Sequence, residues 1–356
     1  MTDLLARTAE LVAIASPSLE EGRLADHVEA GLRACSWLEV DRVGDNLVAR
    51  TCANRPRRLL LAGHLDTVAP NGNLTPRLDG DTLWGLGAAD MKGGLAVMLE
   101  LATSLRAPAL DLTFVFYAGE EVARRHNGLL AIDAARPELM AADAAILGEP
   151  TAGVLEAGCQ GVLKMEVILA GTRAHTARSW MGVNAVHRLG PLLDRVAAFE
   201  ARRPVIAGCQ YHESLQAVSV SGGVAANVVP DRASVVLSHR FAPDRGPADA
   251  ELAVRAWIGG LLDPGAGDSA EVTDTSPAAS PGLDHPLLAE LARLSGAPPR
   301  AKLGWTDVAF FAERGVPAVN FGPGDPELAH SAGERVERED LHRVLEALSR
   351  LATAGA

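Results

Sequence analysis

No stretch of this 356-residue sequence approaches the roughly 18 consecutive apolar residues of a bilayer-spanning helix, so no membrane association is expected. Cysteine is scarce. Cys35, Cys52, Cys159 and Cys209 are dispersed, with no Cys-x-x-Cys pair and no disulfide framework, and a reducing, cytoplasmic setting is the expectation that follows. A basic excess is also missing: 33 Lys and Arg stand against 45 Asp and Glu, for a formal net charge of −12. Phosphate backbones need a basic face, so this balance argues against nucleic acid as a partner. It does not argue against an anionic small molecule, for which a few local cations suffice. Internal repeats and low-complexity tracts are absent. The segment through Ser16 carries an acid at Asp3 and reads as an amphipathic helix rather than a signal peptide. What remains is ordinary for a globular protein: 48% apolar and 22% charged residues, in a chain long enough for two domains.

The first 155 or so residues alternate between two textures. Ser18 and Glu21 have capping-box spacing, followed by Leu24, Val28 and Leu32 at helical intervals. Leu59–Leu61, Leu112–Tyr117 and Ala144–Leu147 are short apolar runs bounded by polar residues and glycine, as buried parallel strands are. Met91–Leu105 and Val122–Ala135 read as crossover helices between them. This is α/β patterning. From residue 161 the order becomes strand (Val162–Leu169), helix (Asn184–Glu200), strands (Leu215–Val220, Ala233–Phe241), helix (Ala248–Leu262) and a short strand (Ala270–Asp274). That βαββαβ order fits a ferredoxin-like unit. Ser276–Pro281 reads as a return linker. A helix over Pro286–Leu294, another after Asp307, a strand over Ala318–Phe321 and an amphipathic helix from Asp340 follow. The expectation is a discontinuous catalytic domain, 1–160 with 276–356, interrupted by an inserted domain, 161–275.

Chemistry-bearing residues cluster just after the expected strands. His64-Leu65-Asp66 follows the first, Glu120-Glu121 the second and Glu149 the third; Asp90 opens the helix at Met91, and His330 follows the strand Ala318–Phe321. In open α/β sheets, sites form outside the carboxyl ends of the strands, where these segments would converge. Singly, each has a structural reading: His64 a core histidine, the glutamate pair a solvated helix start, Asp90 an N-cap. Together, two histidines and several carboxylates form a zinc-suited donor set, and a shared carboxylate suits a two-metal site. Gly85-Leu86-Gly87-Ala88-Ala89-Asp90 imitates a dinucleotide fingerprint, but its aspartate would repel a pyrophosphate. Neither a Gly-x-Ser-x-Gly elbow nor a local signature for a catalytic cysteine is present.

These residues resemble the co-catalytic zinc aminoacylases and exopeptidases of the M20 clan. The matching stretches are His64–Val68, Gly87–Gly94, Gly119–Glu121, Gly148–Thr151, Gly171–Ala177, Asn227–Asp231 and His330. Within the clan, Ile146–Gly161, Ala174–Gly182, Gly304–Asp307 and Asn320–His330 are most similar to succinyl-diaminopimelate desuccinylases of actinobacterial type. The resemblance implies a zinc-peptidase-like catalytic domain with a mostly parallel sheet, and a dimerisation or lid role for 161–275. It further implies two zinc ions, with cobalt or another divalent metal possible in one site. Asp90 would bridge them, His64 and Glu149 would complete one site, and Glu121 and His330 the other. Asp66 would orient His64, Glu120 would be the general base, and His175 would reach a partner subunit's active site to stabilise an oxyanion. Arg240, Asn227 and Thr306 would contact substrate. Two departures from the clan's pattern bear on substrate choice: Val122 follows the glutamate pair, and Gly333-Glu334 replaces an Asn-Glu. The implied reaction is hydrolysis of N-succinyl-LL-2,6-diaminopimelate by a homodimer. Acetylornithine deacetylase, aminoacylase or carboxypeptidase activity is the alternative, and a non-catalytic binding protein of the same fold is a second one.

Overall fold

The computed structural model describes residues 3–355, which form two compact units. Among the described residues, the first comprises 3–157, 281–300 and 310–355; the second comprises Gly158–Ser280 and Ala301–Ala309.

The first unit is built on an eight-stranded mixed sheet. Its centre is parallel: Asp111–Tyr117, Arg58–His64, Ala144–Leu147 and Ala318–Asn320 lie side by side in that order. Leu59, Leu60, Ile146 and Val319 are each at most 1% exposed, as expected for strands covered on both faces. Burying one such side chain contributes about 1.5–3 kcal/mol. The helix Gly93–Ser104 is buried almost all round. A Cβ on Gly94 would lie 2.2 Å from Gly148 O, so only glycine lets this helix meet the loop ahead of Glu149.

Three local readings change. Ser18 and Glu21 do not cap a helix reciprocally: Ser18 Oγ donates to Asp66 at 2.7 Å, and Glu21 accepts from Leu19 N at 2.8 Å and Gly119 N at 3.1 Å. Tertiary partners have outcompeted the local motif. The helix expected from Val122 starts at Gly128, where Asn127 accepts from Leu129 N as its N-cap, so Glu120 and Glu121 sit on a loop. An edge hairpin, Glu39–Val43 with Asn46–Arg50, turns through Gly44-Asp45. Its Gly-Asp pair is a hairpin signal the sequence reading passed over.

In the second unit the order is strand Gly161–Ala170, helix Ala185–Ala197, strands Ser214–Gly222 and Arg232–Phe241, helix Pro247–Ile258 and strand Ser269–Ser276. Numbering the unit's strands one to four, the antiparallel sheet runs two, three, one, four, the ferredoxin-like arrangement. Leu163, Met165, Val167 and Leu169 alternate inward against Leu189, Leu192, Val254 and Ile258. Entry and exit are tied together, since Cys159 and Ala279 exchange two backbone bonds of 3.1 and 3.0 Å. Residues 301–309 belong to this unit through Gln160 N donating to Lys302 O and Trp305 Nε1 to Pro277 O, at 3.2 and 3.1 Å.

Candidate metal centre

The first unit gathers His64, Asp66, Asp90, Glu120, Glu121, Glu149 and His330 at the carboxyl ends of its parallel strands. His64 ends the strand Arg58–His64 and is 1% exposed. Its Nδ1 lies 3.0 Å from Asp66 O and its Nε2 3.1 Å from Asp90 Oδ1. The other oxygen of Asp90 lies 3.3 Å from His330 Nε2, which is also 2.8 Å from Glu121 Oε1. One carboxylate thus faces two imidazoles with separate oxygens. His330 has φ 61°, a left-handed conformation costing a non-glycine residue roughly 1–3 kcal/mol, typical of strain held at a functional site.

Two buried acids suspend the glutamate loop. The carboxylate of Asp66 accepts from Glu120 N and Glu121 N, both at 3.0 Å, and Glu21 takes the preceding amide of Gly119. Three successive amides of the glutamate loop therefore hang on two buried carboxylates. Asp66 was expected to orient His64; its Oδ1 lies 3.6 Å from His64 Nδ1, within ion-pair distance, while its shorter bonds go to the loop and Ser18. Glu21 and Glu334 were not read as site residues. Glu21 was hidden inside an apparent capping box, and Glu334 was noted only as part of a departure.

The electrostatics call for cations. Burial disfavours the charged ring of His64, but bonds to Asp66 and Asp90 and the charge of Glu149 outweigh it and raise its pKa well above the ordinary value. Bonds to Asp90 and Glu121 raise His330 to about 10. Burial pushes Asp66 up, but His64, Ser18 and the Glu120 amide pull it down to about 2. Both imidazoles are driven towards positive charge by surrounding carboxylates, the same demand a divalent cation would meet.

Two donor sets fit such ions: His64, Asp90 and Glu149, and Asp90, Glu121 and His330, each with ligand atoms within 4.8 Å of one another. A third, overlapping set of His64, Glu120 and Glu121 meets the same distance. It would take His64 and Glu121 from the other two, leaving each short of a donor, so the Asp90-centred pair accounts for the residues better. Nitrogen and carboxylate donors together suit a borderline ion such as zinc.

His175, Asn227, Arg240 and Thr306 belong to the second unit. His175 Nδ1 accepts from Ala177 N at 3.0 Å, so in the neutral ring the proton sits on Nε2. Asn227 is on the neighbouring segment, its carbonyl accepting from Thr176 N at 3.1 Å. Arg240 is partly buried on the strand Arg232–Phe241; burial lowers its pKa, and no carboxylate counters that among the described residues. Thr306 is 4% exposed, and its carbonyl accepts from Cys159 Sγ at 3.7 Å.

Residues 60–354 match the family described as Peptidase family M20/M25/M40. A Mycobacterium tuberculosis protein provisionally named succinyl-diaminopimelate desuccinylase DapE is 51% identical over 98% of this chain and 97% of its own length. A Corynebacterium glutamicum succinyl-diaminopimelate desuccinylase is 44% identical, covering 95% of this chain and 93% of its own. The crystal structure of aminopeptidase PepT from Bacillus cereus has the same fold, with a TM-score of 0.79 at 21% identity over 98% of this chain and 97% of that one. The chain belongs to peptidase family M20/M25/M40.

Proposed function

We propose that this protein hydrolyses N-succinyl-LL-2,6-diaminopimelate to succinate and LL-2,6-diaminopimelate in the cytoplasm, as a homodimer with two zinc ions per subunit. The observation that carries the metal chemistry is the carboxylate of Asp90 facing His64 and His330 with different oxygens. The names of the two relatives, at 51% and 44% identity, support the substrate.

Asp90 would be shared by the two ions, with His64 and Glu149 completing one donor set and Glu121 and His330 the other. When bound, the pair polarises the scissile carbonyl and acidifies water. Glu120 accepts the proton of the attacking water and returns it to the leaving amine nitrogen, so the amide yields a carboxylate and an amine. Asp66 keeps Glu120 and Glu121 in register by holding their amides, so one can act as base while its neighbour is a ligand. His175 donates from Nε2 to the developing oxyanion of the partner subunit's substrate. Arg240 pairs with no carboxylate among the described residues and suits one of the substrate's, with Asn227 and Thr306 as hydrogen-bonding groups.

Self-association through 161–275, the inserted domain, is supported by an edge strand. Ser214–Gly222 is bonded on one side only, with Val218 and Val220 58% and 54% exposed. An exposed apolar edge is a template for pairing with a second chain. The test is a panel of succinyl-diaminopimelate, acetylornithine, acetylated amino acids and dipeptides, offered to zinc-loaded protein. Succinate release from the first at a kcat/KM well above the others is expected. A preference for acetylornithine or a dipeptide would move the protein elsewhere in the family, and no hydrolysis of any would favour a binding role.

A further inference from the structure

The bridging aspartate lies on irregular backbone. Within Ala88–Lys92, Asp90 (φ −117°, ψ 91°) and Met91 (φ −133°, ψ 36°) depart from helical geometry, so the turn does not satisfy its own amides as a regular helix would. Their partner is Glu334, 1% exposed, whose Oε1 accepts from Ala89 N at 3.1 Å and Asp90 N at 3.0 Å. Glu334 belongs to none of the three donor sets. It also ends the segment that begins at His330. Glu334 N donates to Ser331 O at 3.2 Å, Gly85 N donates to Glu334 O at 3.1 Å, and the next residues, Arg335–Glu337, pair with Thr82–Trp84.

We propose that Glu334 is a positioning residue that sets Asp90 against His330, and so shapes the cation site formed by Asp90, Glu121 and His330. This rests on the two-metal reading above. His64 and Glu149 reach their places by another route, at or just after the central strands Arg58–His64 and Ala144–Leu147. The two cation sites should therefore depend unequally on Glu334. Loss of its reach leaves the amides of Ala89 and Asp90 without their buried acceptor. The backbone of Asp90 can then shift relative to His330, whose own ring is held by no strand.

The test uses full-length protein stripped of metal and titrated with zinc against a chromophoric chelator, with H330A marking the site that His330 serves. E334D keeps the charge but is one methylene too short. E334Q lacks the charge, but its amide oxygen can still accept from Ala89 and Asp90. E334D should weaken the cation that H330A also weakens, by roughly 10- to 100-fold, the usual effect of losing a group that orients a ligand, and change the other by only a few-fold. E334Q should stay within a few-fold of wild type at both sites. An E334D protein with both wild-type affinities overturns the proposal, as does E334Q failing as badly as E334D, which would make charge rather than reach the cause. Should circular dichroism show E334D unfolded, E334Q decides: wild-type affinities support the proposal and loss overturns it. Wild-type protein that takes up no cation pair would instead sink the two-metal reading, a separate outcome.

Discussion

Replacing Asp66 by Asn tests whether this carboxylate acts by suspending the glutamate loop. Asp66 is 0% exposed and accepts from Glu120 N, Glu121 N and Ser18 Oγ at 3.0, 3.0 and 2.7 Å. An asparagine fits the space, but its amide oxygen can serve only one side, and its NH2 then confronts a backbone N–H. A buried unsatisfied donor costs about 1–3 kcal/mol, and each hydrogen bond to a charged group contributes about 1.5–3 kcal/mol, so a loss of about 3–5 kcal/mol is expected. The acid titration measures the carboxylate as a whole: against burial, His64 is the largest contributor, ahead of Ser18 and the Glu120 amide. Asp66 falls from 3.8 to about 2, which at 1.36 kcal/mol per unit is about 2 kcal/mol, a lower figure because protonation leaves the oxygens in place. Since the folded pKa is depressed, this stability is present above pH 3.8 and is lost as pH falls through 2. Thermal and urea unfolding of metal-free wild type and D66N would read both. At neutral pH the melting temperature should fall by roughly 6–20 °C, taking about 2–4 °C per kcal/mol for a domain of this size class. The gap should narrow between pH 4 and 2. D66N melting with wild type at neutral pH, or a gap that widens in acid, would refute the reasoning.

Two further outcomes concern the second unit. R240K and R240A should both lower kcat/KM for succinyl-diaminopimelate by roughly ten- to a hundredfold, the cost of one charge-assisted pair, with zinc content unchanged; equal losses on an acyl amino acid lacking the distal carboxylate would remove Arg240 from the specificity argument. Mixing inactive E120Q with inactive H175A should restore activity, because one site of a mixed dimer carries both defects and the other neither. A fully active monomer would end that idea.

Much of the site could be read from the sequence because its ligands follow strands whose apolar runs are unmistakable. Leu59–Leu61, Leu112–Tyr117 and Ala144–Leu147 all lie within the observed parallel strands, and the acids after them face one another. The βαββαβ order of the second unit was legible for the same reason, its strands alternating as a half-buried sheet should. The supporting acids were not. Glu21 sits three residues after Ser18 and satisfies a local motif, but besides Leu19 it holds the amide of Gly119, 98 residues away. Glu334 serves an amide 244 residues distant. Local spacing carries no trace of such pairings, which exist only once the loops are folded together. The late start of the helix at Gly128 has a similar origin. Three amides committed to Glu21 and Asp66 hold residues 119–121 in a loop before any helix can begin.

The division of labour between adjacent glutamates is the claim on which the account most depends. Glu121 lies 2.8 Å from His330 through its carboxylate, whereas Glu120 appears in neither of the two donor sets centred on Asp90. The decisive measurement is zinc content alongside turnover for E120Q and E121Q. E120Q should retain both ions and lose on the order of 10²–10⁴ in kcat, the usual contribution of a general base. E121Q should weaken one ion. An E120Q protein that sheds zinc, beside an E121Q protein that keeps both ions, would contradict the account and exchange the two roles.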